Sequence, residues 1–178
     1  LPINKLRPFE GHPFYVKDDE EMEQLTESII QQGVLIPLVV RTLPNDEYEV
    51  ISGHRRLHAC KKAGIEKVPA LITEMDRDAA AIALVDSNLH REKILPSEKA
   101  YAYKLKLEAM SRQGYRSDLT SNQVGRRLET ADIIAEQSDE SKTQIRRYIR
   151  LTKLILDILK MVDEQSIAFS VGVELSYL

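Results

Sequence analysis

Two adjacent arginines, Arg55 and Arg56, follow Gly53 and His54 where a strand-like run, Tyr48 to Ser52, gives way to a helical pattern. A helix start leaves backbone N–H groups without partners and carries a positive dipole end, so it favours an anion. Arginine forks in the first turn add donors that match phosphate oxygens. The chemistry open to Gly53, His54, Arg55 and Arg56 is therefore the binding of a phosphorylated ligand. The competing reading is a solvated arginine pair at an ordinary strand-to-helix turn.

A second group has the residue types for nucleic acid. Ala135, Asp139 and Ile145 stand at the spacing of a helix-turn-helix: a small residue, a turn residue and a buried apolar residue. Asp139 takes the place where glycine is usual, which aspartate tolerates. Ser141 and Gln144 form a capping box that marks the start of the second helix. At about 100° per residue, Ile145, Tyr148, Ile149 and Thr152 gather on one side. Lys142, Arg146, Arg150 and Lys153 form the adjoining stripe, with Arg147 farther round and no acid between Lys142 and Lys153. A helix docked by its apolar face presents those cations outward, as a reader of double-stranded DNA must. The expected DNA-binding residues are Ser141, Lys142, Thr143, Gln144, Arg146, Arg147, Arg150 and Lys153. Lys142, Thr143, Arg146 and Arg147 are placed for base edges, and Arg150 and Lys153 for phosphate or packing. Arg126 and Arg127 are expected backbone contacts. The competing reading is a solvated basic face.

The elements that must hold these residues differ in the two halves of the chain. Asp18 to Gln32 has Met22, Leu25, Ile29 and Ile30 at helical spacing, acids in its first turn and Gly33 as a stop. Leu35 to Arg41 predicts a strand, Tyr48 to Ser52 its antiparallel partner, and Val68 to Thr73 another strand. A helix is expected from about Gly53 to Ala63. Beyond Asp76 the pattern is helical throughout, with helices expected over Ala79–Ser87, Leu95–Arg112, Asp132–Gln137, Ser141–Lys153 and Leu154–Val162. Ser117 to Glu129 reads as a loop with a short helix. The fold class is α+β, a small mixed domain followed by an all-helical one.

Composition narrows the function classes. The chain has 178 residues, 43% hydrophobic and 30% charged, enough for real cores in one domain or two. The net charge of −3 does not exclude a nucleic-acid partner, because binding depends on local patches. Cys60 is the one cysteine, so an internal disulfide and a cysteine-based zinc site are ruled out, and a reducing, cytoplasmic setting is expected. His12, His54, His58 and His90 do not form a spaced metal set, although His58 falls one turn after His54. No apolar run reaches the length of a membrane span, and no secretory signal pattern opens the chain, so no membrane association is expected. The chain opens on Leu1 rather than methionine and stops at Leu178 in an apolar stretch. It is expected to be a piece of a longer protein.

Taken together these motifs resemble the ParB family of plasmid and chromosome partition proteins, with their nucleoid-occlusion relatives. Leu6-Arg7-Pro8 with His12-Pro13 resembles the family's opening strand and turn. Glu27 to Arg41 resembles its first helix and strand. Ser52-Gly53-His54-Arg55-Arg56-Leu57-His58-Ala59 resembles its Gly-Glu-Arg-Arg box. Ser87-Asn88-Leu89-His90-Arg91-Glu92 with Leu95 to Ala100 resembles its Glu-Asn-x-x-Arg segment and the helix that follows. The resemblance implies a nucleotide-binding domain over residues 1–95 and a helical, helix-turn-helix DNA-binding domain over residues 96–178, with the family's C-terminal dimerisation domain outside this chain. It implies CTP with Mg2+ as the ligand, held at Gly53, His54, Arg55 and Arg56 and completed by Asn88 and Arg91, with Asn88 on the metal. It further implies a homodimer that acts as a CTP-controlled clamp on a palindromic, centromere-like site. A partition ATPase of the ParA type would be met through a region outside this chain.

Two positions depart from the family pattern. His54 replaces a glutamate in the first box, and Ser87 replaces the glutamate before the asparagine, a place tied to magnesium and hydrolysis. Asp86 is adjacent, but a helical neighbour points about 100° away. Slow or absent CTP hydrolysis follows from that change. A sulfiredoxin-like redox activity is excluded because Gly53 stands where the cysteine would be. A nuclease would need converging carboxylates, and Asp86 and Glu92 are in no such arrangement. The remaining alternative is a nucleotide-independent DNA-binding regulator.

Overall fold

The computed structural model describes residues 1–117, 123–138 and 140–178, the side chains of 114–117 and 123–129 apart. It opens with a short strand, Leu6–Pro8 (β1), and the helix Glu20–Gln32 (α1). Asp19 caps α1 by accepting from the Met22 N–H at 2.9 Å, and three acids in the first turn suit the dipole. Gly33, at φ 75°, ends the helix as the sequence predicts. Leu38–Leu43 (β2) and Glu47–Ser52 (β3) pair antiparallel. The predicted strand start at Leu35 falls earlier than the ladder: Leu35 and Ile36 are exposed and lie before β2. The chain then turns through Gly53 into His54–Lys62 (α2) and returns as Ala70–Thr73 (β4).

These strands make one mixed sheet in the order β1-β3-β2-β4, with β1 parallel to β3 and β4 parallel to β2. Leu38, Val40 and Val50 on the sheet bury against Met22 and Ile29 of α1 and Leu57 and Cys60 of α2. Cys60 is a small core residue, as expected. The central strand β3 also buries Glu49, whose carboxylate takes the Arg41 Nε–H at 2.6 Å and the Glu10 N–H at 3.3 Å. A carboxylate this deep is tolerated because its oxygens are bonded. The strand that delivers Gly53 is therefore held on both faces.

The second unit is helical: Arg77–Leu89 (α3), Pro96–Ser117 (α4), Gln123–Glu136 (α5), Lys142–Leu151 (α6), Leu156–Asp163 (α7) and Phe169–Leu175 (α8). The long helix α4 packs against α3, α5, α6 and α7. Its start is capped from afar, since Asp163 at the end of α7 accepts from the Ser97 N–H at 2.9 Å and from its hydroxyl at 2.5 Å. Lys106 on α4 is 2% exposed and donates to Asp86 at 2.6 Å and Gln137 at 3.1 Å, tying α4 to α3 and to the end of α5.

The chain divides into Leu1–Asp76 and Arg77–Leu178, and α3 packs with the helices of the second unit. Two expectations change. α4 continues to Ser117 rather than ending near Arg112, and α5 begins at Gln123, so the short helix expected within Ser117–Glu129 is the start of a longer one. Residues 118–122 of that stretch lie outside the described residues. The sequence pattern also misses α8. Its seven residues include β-branched Val171 and Val173 and Gly172, so propensity is poor and tertiary packing must form it. A Cβ on Gly172 would lie 2.7 Å from Val162 of α7, which is the close approach that glycine permits.

Candidate phosphate corner and nucleic-acid interface

The corner between β3 and α2 depends on Gly53. Its φ of 102° is left-handed, and a Cβ there would lie 3.0 Å from Leu38 and 3.2 Å from the Arg56 guanidinium. Glycine thus serves both the turn and the space. Arg56 donates to the Ile36 carbonyl and, at 2.8 Å, to the Pro37 carbonyl, so it fixes the loop that enters β2. Arg55 lies within 3.4 Å of Glu21 and 3.5 Å of Asp19, at the acidic start of α1, and its side chain is 26% exposed. The two arginines do meet at one helix start, but each is already engaged.

His54 does something other than expected. Its Nε2 faces the Phe9 N–H at 3.4 Å, and its ring lies 3.8 Å from that of His12, centroid to centroid. Burial first, then the neighbouring His12, pushes its pKa down to about 3, against a hydrogen bond with the Val50 backbone. A neutral, accepting imidazole turned toward Phe9 is a packing group and offers no cation to a phosphate. His58 is not its partner either: His58 and Lys62 share Asp18, each at 2.9 Å.

Asn88 and Arg91 belong to the second unit. The Asn88 amide donates to the Leu84 carbonyl at 2.8 Å and to the Ser87 hydroxyl at 3.3 Å, which leaves Oδ1 as an oxygen of the kind magnesium takes. Ser87 donates to the same carbonyl at 3.0 Å. Asp86 is committed to Lys106, so it is no substitute for the missing glutamate. Among the described residues no three His, Cys, Asp or Glu side chains form a metal cluster.

α6 is built as the spacing predicts. Ser141 caps it, its Oγ accepting from the Gln144 N–H at 3.2 Å. Ile145 is buried with Tyr103 and Ile134, and Ala135, Tyr148 and Ile149 pack around them. Asp139 lies outside the described residues, as do the side chains of Arg126 and Arg127. Ser141, Thr143, Arg146 and Lys153 are exposed, and Gln144 is half-buried. The other cations are partnered. Lys142 pairs with Asp132 of α5. Arg147 lies over the Phe169 ring at 5.3 Å. Arg150 donates from Nε to the Ser176 hydroxyl at 3.1 Å and from Nη2 to its carbonyl at 2.6 Å, under the Tyr177 ring at 4.0 Å. Sequence reasoning missed these partners, and it missed Lys99, which pins the turn before α6 through Glu140 at 2.6 Å. No local pattern signals them, because they come from elsewhere in the chain.

The model of the ParB N-terminal domain matches residues 1–89. The chain is 34% identical over 168 residues to a probable chromosome-partitioning protein ParB of Vibrio cholerae, covering 94% of this chain and 51% of that one. It is 36% identical over 155 residues to a nucleoid occlusion protein of Listeria monocytogenes, covering 86% and 48%. The chain spans about half the length of these relatives. In fold it is similar to the C-terminally truncated chromosome-partitioning protein ParB from Caulobacter crescentus complexed to the centromeric parS site, with a TM-score of 0.61, 23% identity, and coverage of 98% and 82%. It is also similar to a Pnob8-like ParB-N domain, with a TM-score of 0.63, 20% identity, and coverage of 98% and 77%.

Proposed function

The chain belongs to the ParB family, and from that membership we propose that it is a sequence-specific DNA-binding protein of chromosome or plasmid partition. In this reading α5 and α6 are a helix-turn-helix, and α6 enters the major groove of a centromere-like palindrome. The observation that carries the reading is α6 itself, with a buried apolar face, a capped start, Thr143 and Arg146 exposed, and Lys153 exposed just past its end. Cations held outward by a docked helix neutralise phosphate and reach base edges. Among the described residues no helix is long and apolar enough to cross a membrane.

The proposal assigns CTP to the first box. The Gly53 backbone and the Arg55 and Arg56 guanidinium groups bind phosphate oxygens, and the Asn88 Oδ1 is an oxygen of the kind Mg2+ takes. Magnesium, when bound, screens the charge of the phosphates. His54 is left out of the contact set, because it packs on His12 and Phe9. A homodimer and a ParA-type ATPase bound through a region outside this chain belong to the same reading. A second reading, DNA binding without nucleotide control, is favoured by the prior engagement of Arg55 with Asp19 and Glu21.

Fluorescence anisotropy with a duplex carrying the parS site bound by the Caulobacter relative, against a scrambled duplex, tests the DNA claim. A preference for parS of at least about a hundredfold is expected. Equal affinity for both duplexes would remove it. Calorimetry across CTP, ATP, GTP and UTP, with Mg2+ and with or without the duplex, separates the two readings: CTP alone should bind, and no binding of any nucleotide leaves the second.

A further inference from the structure

Resting on the reading that α6 meets DNA, the geometry points to Arg150 as a positioning residue of that interface rather than a phosphate ligand. We propose that its fork, held by Ser176 and Tyr177, fixes the rotation of α6 about its own axis, so that α8 sets how Thr143 and Arg146 approach the groove.

The acceptors are themselves fixed. Ser176 is buried; its hydroxyl donates to the Val173 carbonyl at 2.6 Å while accepting from Arg150, and its N–H returns to the Gly172 carbonyl at 3.2 Å. Gly172 sits against Val162 with no room for a Cβ, so α8 packs closely on α7. α7 is anchored in turn, because Asp163 caps α4. A second contact works in the same sense, with Phe169 at the start of α8 lying 4.9 Å from the Tyr148 ring and under Arg147. A guanidinium bonded at two nitrogens and covered by a ring has its orientation set by the protein. Moving it to a phosphate would break two hydrogen bonds and uncover a buried serine. Thr143, Arg146 and Lys153 carry no such ties among the described residues.

Phosphate contact and positioning leave different marks. Each cation on a phosphate contributes about 0.9 to the slope of log affinity against log salt. A residue that only orients the helix contributes affinity and no slope. The experiment is anisotropy of the parS duplex over a salt series for Arg150→Ala, Arg150→Lys, Tyr177→Ala and Arg146→Ala, each shown by circular dichroism to be folded at the assay temperature. Expected are losses of about tenfold in Arg150→Ala and Tyr177→Ala at unchanged slope, and no rescue by Arg150→Lys, since an ammonium keeps the charge and loses the fork. A slope shallower by about one in Arg150→Ala, with affinity restored by Arg150→Lys, would overturn the proposal. So would wild-type affinity in Tyr177→Ala. If Arg150→Ala does not fold, Ser176→Ala decides, with a smaller loss at constant slope expected and an unchanged affinity counting against it. Wild-type affinity in Arg146→Ala instead removes the recognition-helix reading beneath it.

Discussion

Gly53 is the residue on which the phosphate corner turns, because it meets two demands at once. A side chain at φ 102° would be strained, and its Cβ would press on Leu38 at 3.0 Å. Gly53→Ala is expected to destabilise the first unit by about 1–3 kcal/mol and to lower CTP affinity, seen as a reduced urea midpoint and by calorimetry. His54, next in the chain, makes stability depend on pH. Its folded pKa of about 3 lies below the usual 6.5, so the unfolded chain takes up a proton that the folded chain refuses. Stability from this group is complete above pH 6.5 and declines as pH falls toward 3. The decline is about 1.4 kcal/mol per pH unit within that window. His54→Phe should flatten the urea midpoint between pH 7 and 5 relative to the parent protein; an equally steep decline in both would mean that His54 is not the group responsible.

At the scale of elements, charge is placed unequally across α3 and α4. Lys106 is buried, but its partner Asp86 is 47% exposed. Asp86→Ala leaves a buried ammonium with Gln137 but no counter-charge and should cost about 3 kcal/mol, whereas Lys106→Met leaves a half-exposed carboxylate and an exposed Gln137 amide and should cost much less. Thermal or urea unfolding of the two variants checks the order; equal losses would refute it. α1 and α2 show a related competition, because Glu21 draws on Arg55 at 3.4 Å. Glu21 is 70% exposed, so the pair is weak, about 1 kcal/mol at most. Glu21→Gln should therefore raise CTP affinity by no more than about fivefold; calorimetry that finds a weaker affinity would show that Glu21 supports the corner instead. Helix and strand positions were readable where a stop or cap is local, as at Gly33, Gly53 and Ser141. α8 and the extra turn of α4 were not, since long-range packing decides them. The helical wheel found the exposed cation Arg146 and the buried Ile145. It placed Arg150 for phosphate or packing, but not its partners Ser176 and Tyr177, which lie just beyond α8.

At the scale of the molecule, the first-box residues and α6 lie in different compact units, Gly53 to Arg56 in the first and Lys142 to Leu151 in the second. The family resemblance supplied that division of labour; residue patterns alone supplied two unlinked cationic groups. Sites that share no partner residues respond to substitution independently. Arg55→Ala should therefore abolish calorimetric CTP binding while parS affinity without nucleotide stays within about twofold. Arg146→Ala should do the reverse, losing about 1–3 kcal/mol of specific binding and keeping CTP affinity on the free protein. The double substitution should add the two losses. A CTP defect in Arg146→Ala, measured without DNA, would show that the two sites are coupled even in the apo protein and would overturn their independence.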